Sequence, residues 1–182
     1  MAESHRIPTP LMRAVQRINQ RQPKIVIEKA QRLIGSLEGK TIGILGLSFK
    51  PGSDDIREAR SLAVISLLEE HGCRIRAYDP VAMKVAAKLM PKVIYCNNAY
   101  EVANDSDALI LVTEWDEFEK LDMKKLVSLM RYPVFIDSRN FYDPEEMAKS
   151  GFIYEGIGHG LAGRTISEPL YYSVKQTVRM GV

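Results

Sequence analysis

Apolar residues follow two different rhythms along this chain, and the change comes at Lys40. From Leu11 to Leu37 the positions Leu11, Met12, Val15, Ile18 and then Val26, Ala30, Leu33, Ile34, Leu37 recur at helical spacing. Pro23 lies between the two groups. Its ring removes a backbone donor and crowds the preceding turn, so the pattern predicts two helical stretches broken or bent at that residue. After Lys40 the apolar residues gather into short runs: Thr41–Leu47, Arg74–Tyr78, Val93–Cys96, Ala108–Thr113, Val134–Ile136 and Phe152–Ile157. Runs of that length read as buried strands. Helical patterns separate them, at Leu62–His71, Val81–Met90, Glu101–Ser106, Met123–Met130 and Pro144–Lys149. Strand alternating with helix predicts an α/β fold, a mostly parallel sheet of about six strands with helices on both faces, preceded by a long helical segment.

In such a sheet crossovers are right-handed and ligands sit beyond the carboxyl ends of the strands. The candidate site is therefore Ser48–Arg57, Asp79–Pro80, Glu114–Phe118 and Asp137–Asn140. The first strand's loop is not a dinucleotide fingerprint: Gly43 and Gly46 lack the third glycine and the spaced acidic residue. It offers instead Phe49 and Lys50, a ring and an ammonium just past the strand. An ammonium there suits a phosphate oxygen; an ordinary surface lysine and a core phenylalanine are the plain alternatives. Asp54 and Asp55 read as helix-capping carboxylates, whereas Arg57 has the planar fork of donors that suits a pyrophosphate held by an adjoining domain. Arg139 stands beside Asn140 at the fifth strand's end, either as a second cation flanking the crevice or as the partner of Asp137. The only tryptophan, Trp115, and nearby Phe118 either stack a base or roof the sheet.

The chain has 182 residues, 46% hydrophobic and 26% charged, enough for one α/β domain and a helical appendage. With 25 basic and 23 acidic residues the net charge is +2, too balanced for a nucleic-acid footprint. Seven basic residues from Arg13 to Lys40 face only Glu28 and Glu38, which predicts a solvated face or a surface for an acidic partner domain or subunit. Cys73 and Cys96 have no CxxC spacing, so neither a disulfide framework nor a zinc site is expected. No apolar run approaches a spanning helix and no secretion signal is evident, so a cytoplasmic protein without a membrane partner is expected. The three histidines are scattered and no serine or cysteine has an activating context, so no catalytic residue is assigned.

The motifs GLSFKPGSDDIREA, YDP, TEWDEF, IDSRN and YEGIGHG together resemble the carboxyl-terminal domain of the UDP-glucose/GDP-mannose dehydrogenase family, in order and in spacing. The opening IPTPLMRAVQRINQRQP is similar to the end of that family's central helical region. The resemblance, which covers roughly Ile7 to Gly160, implies a helical, subunit-joining segment over 1–38 and a Rossmann-like domain binding the UDP-sugar over 39–160; the tail over 161–182 lies outside it, and its own pattern predicts a helix at Ser167–Arg179. It implies that the intact enzyme oxidises the C6 alcohol of a nucleotide sugar, UDP-glucose first among the choices, to UDP-glucuronate by two hydride transfers to NAD. It further implies Phe49, Lys50 and Arg139 as substrate ligands, Arg57 as a cofactor ligand, and a homodimer through the helical segment. An amino-terminal NAD-binding domain with the catalytic cysteine would be a partner without which the chain is inactive. The alternative is a subunit-assembly module of a related UDP-N-acetyl-mannosamine or GDP-mannose dehydrogenase. Three positions depart from the common pattern: Gly52-Ser53 for asparagine-threonine, Ala59-Arg60 for serine-proline, and His159 for arginine.

Overall fold

The computed structural model describes residues 10–158. Six strands form one sheet: β1 (Thr41–Leu45), β2 (Arg74–Tyr78), β3 (Ile94–Tyr95), β4 (Ala108–Leu111), β5 (Val134–Asp137) and β6 (Ile153–Gly156). Every pairing is parallel, and the order β3-β2-β1-β4-β5-β6 reverses between β1 and β4. The reversal is the topological switch point at which α/β sheets open a crevice.

Seven helices complete the described residues: α1 (Pro10–Ile34), α2 (Arg60–Glu70), α3 (Met83–Leu89), α4 (Ala99–Ala103), α5 (Asp116–Glu119), α6 (Met123–Leu129) and α7 (Pro144–Lys149). Alternate residues of the strands sort the core into two layers. Ile42, Ile44, Ala108, Ile110, Val134 and Ile136 meet α1, α2 and α3 on one face. Leu45, Leu109, Leu111 and Phe135 meet α4 to α7 on the other. Since both faces are covered, the central strands β1, β4 and β5 are buried at every position and read as short apolar runs, whereas β2, Arg74–Tyr78, alternates. Gly43 is needed on the second face: a Cβ there would stand 2.5 Å from Leu109 Cδ2 and 2.6 Å from Val102 Cγ1 of α4.

Pro23 does not break the first helix, contrary to the sequence pattern; α1 runs through it without interruption. Pro23, Val26, Ile27, Ala30, Leu33 and Ile34 form one buried stripe, packed mainly on α2 and β5. Burial of that stripe offsets the donor lost at proline. Residues 10–20 of the same helix are all exposed, including Leu11, Met12, Val15 and Ile18. Two of the basic residues in this region are paired within the domain: Lys29 and Arg32 both meet Glu155 of β6, whose side chain is 1% exposed. At the amino edge of the sheet a second buried carboxylate, Asp107, accepts from the Thr41 N–H at 2.8 Å and from Arg131 at 3.0 Å.

Among the described residues no helix is long and apolar enough to cross a membrane, and no group of three or more His, Cys, Asp or Glu is placed to hold a metal ion. The helical pattern expected at Ser167–Arg179, the tail over 161–182 and His159 lie outside the described residues.

Candidate functional site

The loop that leaves β1 turns sharply at Gly46, which has φ of 85°. An added Cβ there would lie 2.5 Å from both the Cβ and the carbonyl oxygen of Thr113, so only glycine lets this loop press against the end of β4. Asp79, fully buried just beyond β2, then fixes the next residues. Its Oδ2 accepts from the Leu47 N–H at 2.7 Å, the Ser48 N–H at 3.0 Å and the Trp115 indole N–H at 3.0 Å. Its Oδ1 accepts from the Val81 and Ala82 N–H groups at 2.9 and 2.7 Å. Burial pushes this carboxyl up, but the four backbone donors outweigh it and hold the group below the usual aspartate range. The Thr113 hydroxyl donates to the Ser48 carbonyl at 2.6 Å and closes the corner.

Phe49 and Lys50 follow this anchored corner and both are exposed; the Phe49 N–H donates to the Asp55 carbonyl at 2.8 Å. Phe49 is thus not a core aromatic. Asp55 and Asp54 do not cap α2, contrary to expectation: the N-cap is Ala59, with no side-chain bond. The chain takes five residues from Asp55 to reach Arg60, and Asp55 bends back on Arg57 instead. Its two oxygens accept from the Arg57 backbone N–H at 2.9 Å, Nε at 3.0 Å and Nη2 at 2.8 Å. That arginine contact lowers the Asp55 carboxyl to about 2. Arg57 is 87% exposed and faces outward.

Past β5, Asp137 organises a second corner by accepting from the N–H groups of Arg139, Phe141 and Tyr142 at 2.8, 2.7 and 3.1 Å, and from the Tyr154 hydroxyl at 2.8 Å. The carboxylate that holds the Arg139 guanidinium is therefore not Asp137 but Glu114, from the end of β4: Nε to Oε2 is 2.5 Å and Nη2 to Oε1 is 2.6 Å. Burial raises the Glu114 carboxyl, and the guanidinium more than offsets this, leaving it below its ordinary value. Trp115 packs half-buried against the second core layer, as core packing predicts, and its indole N–H is also tied to Asp79. Phe118 is fully buried and meets the Tyr78 ring edge-on at 6.2 Å between centroids.

Four loops thus meet at the carboxyl edge of β1, β2, β4 and β5. Phe49, Lys50 and Arg57 share the β1 loop. Arg139 stands two strands away, a separation of roughly 10 Å at the strand ends. Arg139 also lines a cavity of about 340 Å³ with Asn19, Gln22 and Pro23 of α1, Arg60 and Val64 of α2, Ser138 and Ile157. Phe49, Lys50 and Arg57 do not line it. Sequence reasoning missed Glu114 as the partner of Arg139 and Asp79 as an anchor. The signal available for Asp79 was an aspartate directly after a strand and before proline.

The family model for the UDP-glucose/GDP-mannose dehydrogenase family, UDP binding domain, matches residues 43–144, which include both anchored corners. The UDP-glucose 6-dehydrogenase of Pseudomonas aeruginosa is 41% identical over 169 residues, covering 89% of this chain and 37% of that protein. The UDP-glucose 6-dehydrogenase TuaD of Bacillus subtilis is 35% identical over 173 residues, covering 94% and 38%. Among solved structures, a UDP-glucose dehydrogenase from Pyrobaculum islandicum superposes with a TM-score of 0.76 at 31% identity, over 87% of this chain and 34% of that one. The chain spans little more than a third of the length of these relatives. With its matched segment covering more than half of its residues, the chain belongs to the UDP-glucose/GDP-mannose dehydrogenase family and carries the UDP binding domain of that family.

Proposed function

We propose that this chain binds the UDP portion of a nucleotide sugar, UDP-glucose foremost, as the substrate-binding part of an NAD-dependent dehydrogenase that forms UDP-glucuronate. The observation that carries the reading is that Lys50 and Arg139 leave anchored corners at the same edge of the sheet, roughly 10 Å apart at their strand ends. Two long cationic side chains can close that distance on one diphosphate. Phe49, exposed beside Lys50, offers its ring to the sugar or base. The names of the relatives, UDP-glucose 6-dehydrogenases, support UDP-glucose as the sugar nucleotide.

The β1 turn does not fit NAD. The N–H groups of Leu47 and Ser48, which a dinucleotide pyrophosphate would use in a nucleotide-binding turn, already serve the Asp79 carboxylate. NAD in this reading is held mainly by an amino-terminal domain, and the outward Arg57 reaches it from this side. Catalysis then requires that domain, and the chain alone is inactive. The exposed apolar positions Leu11, Val15 and Ile18, one helical face of α1, support a homodimer through this helix.

Calorimetric titration of the 182-residue chain with UDP tests the reading. Binding that weakens about tenfold in Lys50→Ala and again in Arg139→Ala is the expected result, since a hydrogen bond to a charged group contributes on that order. Unaltered UDP affinity in both variants would overturn it.

A further inference from the structure

The cation that shares a cavity with Arg139 is Arg60, a residue to which the family pattern gives no role. We propose that Arg60 is a second phosphate-binding residue, and that the cavity between α1, α2 and the ends of β4 to β6 takes a phosphoryl group of a bound nucleotide. This rests on the reading of Arg139 as a ligand residue and extends it to a site with its own geometry.

Three observations carry it. The cavity, about 340 Å³, is of ligand size and has both guanidinium-bearing residues in its wall, Arg60 from α2 and Arg139 from the β5 loop. Arg139 is already neutralised by Glu114, but Arg60 is exposed and makes no ion pair among the described residues, so the cavity carries a net positive charge. Arg60 is moreover the first residue of α2, a helix with no acidic residue in its first turn and no side-chain hydrogen bond from its N-cap, Ala59. A cation there opposes the helix dipole and weakens the helix, an arrangement that an arriving anion reverses.

The rest of the wall fits a phosphate ester better than a free ion. The amides of Asn19 and Gln22 provide neutral hydrogen-bond donors, while Val26, Val64, Val112 and Ile157 provide an apolar floor for the group that bears the phosphate. Either of two nucleotides can supply that chemistry, the sugar nucleotide or the dinucleotide, and the site recognises what they share.

The test is titration of the 182-residue chain with UDP, with NAD and with inorganic pyrophosphate at fixed ionic strength, for the unaltered protein and for Arg60→Ala, Arg60→Lys, Arg139→Ala and Lys50→Ala. The expected result is that Arg60→Ala weakens at least one of the three by about tenfold, that Arg60→Lys keeps most of the affinity, and that the melting temperature of Arg60→Ala is equal or higher. The ligand that responds identifies the source: UDP alone points to the sugar nucleotide, NAD alone to the dinucleotide, and all three to phosphate as such. If Arg139→Ala weakens binding and Arg60→Ala leaves every ligand unchanged, this proposal falls while the parent reading stands. If Arg60→Ala and Arg139→Ala both weaken binding and Lys50→Ala does not, the cavity is the site and the lysine is lost from the parent reading. A folded, unaltered chain that binds none of the three overturns both.

Discussion

Arg139 and Glu114 meet as a fork on a carboxylate, two nearly parallel contacts of 2.5 and 2.6 Å between the ends of neighbouring strands. Both side chains are partly exposed, so the pair contributes about 0.5 kcal/mol to stability. Glu114→Gln should lower the melting temperature slightly at neutral pH. The Glu114 carboxyl has a lowered value in the folded protein, so its contribution is complete above the ordinary glutamate value of about 4.3 and is lost as pH falls through the lowered one. Melting curves of the two proteins taken from neutral to acid pH should therefore converge at the acid end; a gap that stays constant would show that the charge of Glu114 is not what stabilises.

Asp79→Ala removes one carboxylate and strands five buried or half-buried donors, those of Leu47, Ser48, Val81, Ala82 and Trp115. The cost should be about 3–5 kcal/mol in chemical denaturation. Because Trp115 is the only tryptophan, its emission should shift in the folded variant, and an unchanged spectrum would contradict the indole contact. The stability held by Asp79 is present above the unfolded aspartate value and fades as pH drops through its depressed folded value.

Gly46→Ala combines a positive φ with a Cβ placed 2.5 Å from the Thr113 carbonyl oxygen. Denaturant midpoints should report a loss of about 2–4 kcal/mol. A loss under about 0.5 kcal/mol, the scale of an indifferent surface change, would mean that the β1 corner and the end of β4 are not in this close contact.

Deleting residues 1–20 should move the melting temperature by less than about 3 °C, since every described residue before Arg21 is exposed. Deleting 1–34 removes Val26, Ile27, Leu33 and Ile34 from the core, at roughly 1.5–3 kcal/mol each against a whole-domain stability of roughly 5–15 kcal/mol. Circular dichroism of that product should show loss of cooperative unfolding; a native-like transition would overturn the assignment of α1 to the core.

The strands were legible because both faces of the sheet are covered, so Thr41–Leu45 and Ala108–Leu111 are buried at every position and appear as unbroken apolar runs. The continuity of α1 was not legible. Proline's local cost is visible in sequence, whereas the packing of Pro23 and Val26 on other elements is set only by the finished fold. The same distinction separates the two arginines of the site. Arg57 takes a partner two residues away, within reach of local reading. Arg139 takes one 25 residues away, chosen because β4 and β5 are adjacent, and passes over Asp137 because that carboxylate is occupied by backbone donors. The short helix Asp116–Glu119 escaped detection because four residues are too few to display a period.

Glu155 gives α1 a fixed heading. With Lys29 and Arg32 gripping one buried oxygen, the inner half of the helix is bolted to the last strand while its outer half stands clear of the domain. Asn19 and Gln22, at the junction of the two halves, form part of the cavity wall. The helix is thus pinned at one end and unsupported at the other, and the cavity wall is built where its support begins.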